Sequence, residues 1–329
     1  VLAGPGSGKT AVITGRTCQL VTSGISASRI LVVTFTRAAA KEMKERYLKA
    51  MGKTSTQVTF GTFHGVFYAI LRHTYRMSGN NILSEEEKKR LMRELVNHYA
   101  RDLEEEDLEE NLAREISTVK NNQIPLEHYY SACMPQEKFR EIYEAYEKWR
   151  KENKKLDFDD LMVQCKRLFL ERPEVLRAWQ QKFQYILIDE FQDISPVQYE
   201  IVRMLALPEN NLFIVGDDDQ SIYQFRGAKP EIMLNFPKDY PGAAQVVLDK
   251  NYRSTEFIVK RSQCLIHHNK KRYEKAISTD NEKGAPVAIR GYKNPREEMR
   301  AVAEELREAE KAAVGSPGYL PNVEALRAA

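Results

Sequence analysis

Short apolar runs alternate with helical patterns along much of the chain. The run Ile30–Phe35 is continuous, apolar and rich in β-branched residues, and helical spacing precedes it at Thr10–Val21 and follows it at Ala38–Met51. Comparable runs return at Tyr185–Ile188, Leu212–Val215 and Gln245–Leu248. Such alternation is typical of a parallel sheet with helices on both faces. The pattern therefore predicts an α/β fold, in which functional residues gather at the carboxyl ends of the strands.

The pattern changes between about residues 80 and 155, where strand-like runs disappear and charged residues dominate. Five apolar residues recur there at three- and four-residue spacing: Phe139, Ile142, Tyr143, Tyr146 and Trp149. This spacing predicts a helix whose apolar face packs in a core rather than forming a binding surface. We interpret the acidic stretch Asp102–Glu110 as a solvated helix face or loop. The region is predicted to be an all-helical insertion.

Another unit is predicted to begin near Leu248, with a strand at Pro286–Gly291 and a helix at Glu297–Lys311. The stretch from Lys311 to Ala329 carries no clear pattern and is expected to form a tail or a weakly ordered stretch. Val1 and Leu2 stand directly before a glycine-rich loop, where a full buried strand normally lies. We therefore expect the chain to be a fragment of a longer protein.

Composition excludes several classes of protein. With 50 Lys and Arg against 47 Asp and Glu, the net charge is +3, so bulk charge alone does not indicate a nucleic-acid partner. The four cysteines lie far apart without histidines at ligand spacing, which argues against a metal centre or a disulfide framework. No apolar run approaches the ~18 residues of a membrane span, and no signal peptide is visible. We expect a soluble, cytoplasmic protein without a membrane partner.

Residues 3–10, AGPGSGKT, match the phosphate-binding pattern G-x-x-x-x-G-K-[ST], with Ala3 in place of the first glycine. Glycines let backbone amides turn toward phosphate oxygens, Lys9 is expected to reach the β- and γ-phosphates, and Thr10 to bind Mg²⁺. The expected nucleotide-binding residues of the loop are Gly4, Pro5, Gly6, Ser7, Gly8, Lys9 and Thr10. A chance glycine-rich turn is disfavoured by the spacing. The loop indicates a nucleoside triphosphate but not how its energy is used.

Two adjacent carboxylates, Asp189 and Glu190, follow the predicted strand Tyr185–Ile188. Asp189 suits a Mg²⁺ contact, and Glu190 suits polarising the water that attacks the γ-phosphate. Adjacent acids at a strand end are common by chance. Together with the phosphate loop, however, they predict a hydrolytic site.

Seven segments occur in a characteristic order: AGPGSGKT (3–10), VVTFTRAAAKEM (32–43), GTFHGVF (61–67), LDFDDLM (156–162), ILIDEFQD (186–193), VGDDDQSIYQFRGA (215–228) and LDKNYRS (248–254). In this combination the chain resembles the UvrD/Rep/PcrA group of superfamily 1 DNA helicases. The resemblance implies RecA-like P-loop motor domains, called 1A and 2A, with helical insertions. It divides this chain into 1A (1–79 and 156–247), the all-helical insertion 1B (80–155) and an incomplete 2A (248–329).

The resemblance also implies roles at the nucleotide. Gln220 matches a γ-phosphate sensor, and Gln192 is similar to the residue that links the carboxylates to that sensor. Arg253 looks like an arginine finger, and Tyr252 would stack on adenine. Without the resemblance, Tyr252 would be read as a packed aromatic residue and Arg253 as a surface arginine.

For DNA, the positions implied by the resemblance are Phe35, Thr36, Phe63, His64, Phe158, Tyr223, Phe225 and Arg226. Aromatic rings stack on bases of any sequence at ~1–3 kcal/mol per base, which suits a motor that must grip and release. Phe35 and Phe158 could instead be core residues, and His64 a packed or capping histidine. Many relatives carry Trp at the position of Phe225, so its grip on a base is expected to be weaker.

The expected whole is an ATP- and Mg²⁺-dependent helicase or translocase. The resemblance implies that it would bind single-stranded DNA and duplex/single-strand junctions, move 3′→5′ and unwind duplexes in repair or replication. Two alternatives stay open: a fragment that only binds ATP and DNA, and the motor part of a RecB/AddA-like helicase–nuclease. A P-loop kinase or GTPase is disfavoured, because Gln220 and the aromatic positions would have no role.

Overall fold

The structure is a computed structural model, which describes residues 1–103, 107–222 and 227–313. The chain divides into two units, Val1–Lys283 and Gly284–Ala329. The strands are Leu2–Ala3 (β1), Ile30–Thr34 (β2), Thr59–Thr62 (β3), Tyr185–Ile188 (β4), Leu212–Ile214 (β5) and Val247–Leu248 (β6). The helices are Lys9–Thr22 (α1), Arg37–Met51 (α2), Phe63–Tyr75 (α3), Glu85–Tyr99 (α4), Leu108–Asn122 (α5), Gln136–Glu152 (α6), Phe158–Glu171 (α7), Pro173–Lys182 (α8), Pro196–Ala206 (α9), Pro230–Asp239 (α10), Glu256–Ile266 (α11) and Pro295–Ala313 (α12).

Parallel strands form the centre of the first unit, in the order β3-β2-β4-β5, with β1 and β6 as a second parallel pair. Two hydrogen bonds join the pair to the end of β5: the Ala3 amide donates to the Gly216 carbonyl at 3.0 Å, and the Gly216 amide to the Val1 carbonyl at 3.2 Å. The predicted α/β fold with a parallel sheet is confirmed. Because every strand runs the same way, all carboxyl ends lie along one edge.

Strand β2 shows why the sheet is covered on both faces. Its five residues are all buried, as the continuous apolar run predicts. Leu31 and Val33 belong to the core formed with α3, α7 and α9, whereas Ile30 and Val32 belong to the core formed with α1 and α2. Successive side chains of a strand point to opposite faces, so one strand supplies both cores.

The insertion is helical, as predicted, and has its own core between α4, α5 and α6. Phe139, Ile142 and Tyr146 are fully buried there, and Tyr143 and Trp149 pack against them half-buried. The interpretation of this stripe as core is confirmed. Within the predicted acidic stretch, residues 104–106 lie outside the described residues.

The predicted strand Pro286–Gly291 is wrong, since these residues belong to no strand in the described part of the chain. The segment PVAIRG contains a short apolar run, yet Val287 and Ile289 are 47% and 96% exposed. A strand needs a neighbour for its backbone hydrogen bonds, and a local pattern cannot supply one. The helix predicted at Glu297–Lys311 is confirmed as part of α12. No described helix is both long and apolar enough to cross a membrane.

Candidate functional site

The glycine-rich loop connects the end of β1 to the start of α1. Gly6 and Gly8 adopt φ angles of 65° and 93°, a left-handed conformation that side chains disfavour. The Ser7 hydroxyl donates a 2.7 Å hydrogen bond to the Gly4 carbonyl and so fixes the turn. Helix α1 begins at Lys9, so its free N–H groups and positive end face the loop. This combination is an anion site of the kind that holds phosphates.

The two carboxylates follow β4 at the carboxyl edge of the sheet. Lys9 Nζ lies 3.5 Å from Glu190 Oε2, which brings the loop lysine and the second carboxylate together. Asp189 is buried, and its Oδ1 atom lacks a hydrogen-bond partner among the described residues. Burial, and then the charge of Glu190, raise the pKa of Asp189 to about 6. An unsatisfied buried carboxylate oxygen suits a hard cation such as Mg²⁺, and the Thr10 side chain lines the same cleft.

Gln192 connects Glu190 to the segment that carries Gln220. Its side-chain Nε2 donates to Glu190 Oε2 at 2.9 Å, and its Oε1 accepts the backbone N–H of Asp217 at 3.0 Å. Asp217 Oδ2 in turn accepts the Nε2 of Gln220 at 2.6 Å. A continuous chain of hydrogen bonds therefore runs from Glu190 through Gln192 and Asp217 to the candidate sensor Gln220.

The segment LDKNYRS folds directly onto the phosphate loop. Asn251, which the sequence reasoning did not single out, donates from Nδ2 to the Pro5 carbonyl at 2.7 Å. The Tyr252 amide donates to the Gly6 carbonyl at 3.0 Å, and the Tyr252 side chain is 68% exposed. Arg253 lies close to the loop: a Cβ atom added to Gly6 would lie 2.7 Å from the Cβ atom of Arg253. Both residues proposed to touch the nucleotide thus stand beside the loop.

A cavity of about 1690 Å³ adjoins this site and extends to the helical insertion. Its lining includes the nucleotide-site residues Thr10, Asp189, Glu190, Gln192 and Gln220. It also includes the predicted DNA positions Phe35, Thr36, Phe63, His64 and Phe158. One cleft therefore contains residues from both predicted sets.

The aromatic positions in the cleft differ in their exposure. Phe158 is 40% exposed, so it is not a core residue, and its ring meets that of His64 edge-on with centroids 5.5 Å apart. Phe35 is half-buried and packs against the core. His64 is largely enclosed, and burial lowers its pKa. Thr36 is exposed, and its hydroxyl accepts the Ala39 amide at 3.1 Å as the cap of α2.

Phe63 is placed differently from the expectation that it binds DNA. It is only 1% exposed, and its ring packs against those of Phe35 and Phe67 with centroids 5.2 and 6.1 Å away. Phe63 is the first residue of α3, and its side chain is buried in the core, where it packs against Phe35. Tyr223, Phe225 and Arg226 lie outside the described residues.

Basic residues on the insertion also line the cleft, and the sequence reasoning missed them: Lys88, Lys89, Arg93 and Arg114. Three of them lie on α4, where Lys89 and Arg93 are four residues apart and therefore lie on the same side of the helix. The cluster EKKRLMR was visible in the sequence, but only the fold brings it to the aromatic positions. Acidic residues line the cleft as well, among them Glu85 and Asp159. The cationic groups nevertheless suit contacts to a phosphate backbone.

The fold and the site define a P-loop NTPase with a parallel sheet and an inserted helical subdomain. Two family descriptions match the chain: UvrD/REP helicase N-terminal domain over residues 1–241, and UvrD-like helicase C-terminal domain over residues 246–316. The chain belongs to the UvrD/REP helicase family.

Three relatives illustrate the similarity. The chain is 41% identical over 316 residues to the putative ATP-dependent DNA helicase YjcD of Bacillus subtilis, covering 94% of this chain and 41% of the relative. It is 36% identical over 321 residues to a probable DNA helicase II homolog of Mycoplasma capricolum, covering 94% of this chain and 44% of the relative. It is 38% identical over 295 residues to the ATP-dependent DNA helicase PcrA of Leuconostoc citreum, covering 87% of this chain and 39% of the relative. The chain thus spans about two fifths of the length of these relatives.

Proposed function

We propose that the chain is the ATP- and DNA-binding motor portion of a cytoplasmic DNA helicase or translocase. The whole protein would couple ATP hydrolysis to 3′→5′ movement along single-stranded DNA and to unwinding at duplex/single-strand junctions, in repair or replication. The observation that carries the proposal is the shared cleft, which is lined by Glu190 and Gln220 as well as by Phe35 and Phe158.

Each nucleotide-site residue has a proposed task. The loop amides and Lys9 would bind the phosphates, and Glu190 would orient and polarise the attacking water. Thr10 and Asp189 would hold Mg²⁺, which would supply charge neutralisation at the phosphate oxygens. Arg253 would add positive charge to the transferring phosphoryl group. The position of Arg253 against Gly6 and the unsatisfied Oδ1 atom of Asp189 support these assignments.

Gln220 and Gln192 would report the state of the nucleotide to the DNA. Gln192 touches the catalytic carboxylate, while Gln220 lines the cleft shared with the aromatic residues. A change at the γ-phosphate that moves Glu190 would therefore be passed along hydrogen bonds rather than through solvent. Tyr252 would bind adenine by stacking, as its exposed ring allows.

DNA would be held by stacking and by charge. Phe158, with His64 and Phe35 beside it, would stack on bases, and Thr36 would contact the backbone. Tyr223, Phe225 and Arg226 remain part of this proposal on the family resemblance alone. Basic residues of α4 would add phosphate contacts and make binding depend on salt. Residues 1–79 with 156–247 would form motor domain 1A, 80–155 the insertion 1B, and 248–329 the beginning of 2A.

The test is binding of a fluorescent dT oligonucleotide and, separately, of a non-hydrolysable ATP analogue, at several salt concentrations. The proposal predicts that both bind, that mixed-sequence oligonucleotides of equal length bind similarly to dT, and that affinity for DNA falls as salt rises. Lys9→Ala should weaken binding of the nucleotide but not of DNA. Lys41→Ala, at an exposed site on α2, should leave both affinities unchanged. A chain that binds nucleotide without DNA would contradict the proposal.

A further inference from the structure

Three consecutive carboxylates stand at the carboxyl edge of the sheet, just before the candidate sensor Gln220. Asp217, Asp218 and Asp219 have oxygen atoms within 4.8 Å of one another, a spacing that a metal ion could use. The ammonium of Lys275 takes this position instead. Its Nζ lies 2.6, 2.5 and 2.9 Å from oxygens of the three residues in turn. The cation of this cluster is therefore a lysine side chain.

Lys275 is fully enclosed, with 1% of its side chain exposed. A buried lysine is favourable only when opposite charges and hydrogen bonds replace its hydration. The neighbouring carboxylates hold its pKa above the usual range despite burial, so the side chain stays protonated. Removal of this one charge would leave several buried carboxylates without their common partner.

Two further contacts bind the same stretch of chain to the cluster. The Arg272 guanidinium donates to both oxygens of Asp219, from Nε at 2.7 Å and from Nη2 at 2.6 Å. The backbone amide of Tyr273 donates to Asp218 Oδ2 at 2.7 Å. Residues 272–275 follow α11, so they belong to the segment we propose as the beginning of 2A. Every carboxylate of the cluster is thus tied to that segment.

The cluster also reaches the sensor. Asp217 accepts Lys275 on Oδ1 and Gln220 on Oδ2, so one carboxylate joins the two side chains. Its backbone N–H is held by Gln192, which contacts Glu190. Asp217 therefore has its orientation set from both sides, by Gln192 and by Lys275. A displacement of Lys275 would rotate the carboxylate against which the Gln220 amide rests.

We propose that Lys275 is a positioning residue that fixes Asp217 and, through it, Gln220, and that it thereby couples movement of the 272–275 segment to nucleotide and DNA binding. The inference rests on the proposed function and adds to it a contact between the two motor portions. Buried charge networks suit such coupling, because they hold one discrete arrangement until a partner is withdrawn.

The test measures the dissociation constant of a labelled dT oligonucleotide with and without a saturating non-hydrolysable ATP analogue. The ratio of the two constants is the coupling, which in such systems is typically about 5- to 150-fold in either direction. In Lys275→Met the ratio should fall toward one, while the affinity for each ligand alone changes by less than about threefold, well below that coupling range. Lys275→Arg, which keeps the charge, should restore most of the coupling.

Lys250→Met is the matched control, because Lys250 pairs with Asp280 at the surface of the same portion of the chain. It should leave the coupling unchanged. Arg272→Gln removes the outer ion pair while Lys275 stays in place, and it should lower the coupling without loss of folding. It is the decisive variant should Lys275→Met fail to fold, as circular dichroism would reveal.

The outcomes separate the two ideas. Coupling in the wild type that survives unchanged in Lys275→Met or, where that variant is unfolded, in Arg272→Gln would overturn the inference and leave the proposed function intact. A wild-type chain that binds both ligands without any coupling would overturn it too. A chain that binds neither ligand would overturn the proposed function, and the inference with it.

Discussion

Asn251 holds the Pro5 carbonyl of the phosphate loop through a 2.7 Å hydrogen bond, although the two residues lie 246 positions apart. The same side chain accepts the backbone amides of Arg253 and Ser254 at 2.8 and 2.7 Å. One buried amide therefore sets both the shape of the loop and the start of the segment that carries the candidate arginine finger.

Replacing Asn251 by Ala should weaken ATP binding. The change removes three hydrogen bonds from a buried position, of which only the one to Pro5 holds the loop itself. A hydrogen bond is worth about 0.5–1.5 kcal/mol net, so loss of the bond to Pro5 should raise the dissociation constant by up to roughly tenfold. Calorimetric titration with a non-hydrolysable analogue measures it. Asn235→Ala, on an exposed face of α10, is the control. Unchanged ATP affinity in Asn251→Ala would show that the loop keeps its shape without this contact.

Glu190→Gln should keep nucleotide binding but lose hydrolysis. The amide can still accept the hydrogen bond from Gln192 yet cannot polarise water as a carboxylate does. Loss of a general base typically lowers the rate about 10²- to 10⁴-fold, which single-turnover assays can resolve. Glu200→Gln removes a more exposed acid from α9 and should have no effect. Normal ATP hydrolysis by Glu190→Gln would show that another group polarises the attacking water.

Phe158→Ala should weaken binding of every single strand by a similar factor. The loss of one stacked base corresponds to ~1–3 kcal/mol, or roughly 5- to 150-fold. Fluorescence anisotropy with dT, dA and mixed oligonucleotides tests both the size and the uniformity. Leu170→Ala changes an apolar residue that is 62% exposed on the same helix and serves as the control. A loss confined to one base would contradict stacking as the mode of contact.

Glu87 should stabilise the insertion in a pH-dependent way. It forms a capping box with Ser84 at the start of α4 and pairs with Lys155, and these contacts lower its pKa to about 2. A carboxylate whose pKa is lowered by folding contributes stability above its unfolded pKa of ~4.3, and that contribution disappears as pH falls toward its folded value.

Glu87→Gln should therefore lower the urea midpoint at pH 7 and have a much smaller effect near pH 2. The expected size at pH 7 is about 1 kcal/mol, typical of a helix cap, since Glu87 is partly solvated. Glu86→Gln, one residue earlier and exposed, should change the midpoint less. Equal effects of Glu87→Gln at both pH values would argue that shape, rather than charge, makes the cap.

Local patterns were sufficient for the sheet and for the helical insertion. The continuous apolar run of β2 is typical of a strand that is buried on both faces. The three- and four-residue spacing of the α6 stripe matches the helical period and indicates one buried face. The same reasoning failed at Pro286–Gly291, where a short apolar run is present but the described residues form no strand. Whether a strand forms depends on a neighbour, which lies outside the local pattern.

The candidate site was predictable where a motif carries its own geometry, as in the phosphate loop. It was not predictable where two distant segments meet. Asn251 and Lys275 act on Pro5 and Asp217 across long stretches of sequence, so no spacing rule reveals them. Phe63 shows the converse: it lies in a recognisable motif, but the first turn of α3 directs its ring into the core.

The most direct test of the central claim is steady-state ATP hydrolysis by this chain with and without poly(dT). The account predicts that single-stranded DNA stimulates turnover strongly and that Lys9→Ala abolishes it while retaining DNA binding. The shared cleft would then be a coupled motor site. Turnover that poly(dT) leaves unchanged, or that persists in Lys9→Ala, would contradict the account. Absence of turnover in a chain that binds both ligands would favour the alternative of a binding module.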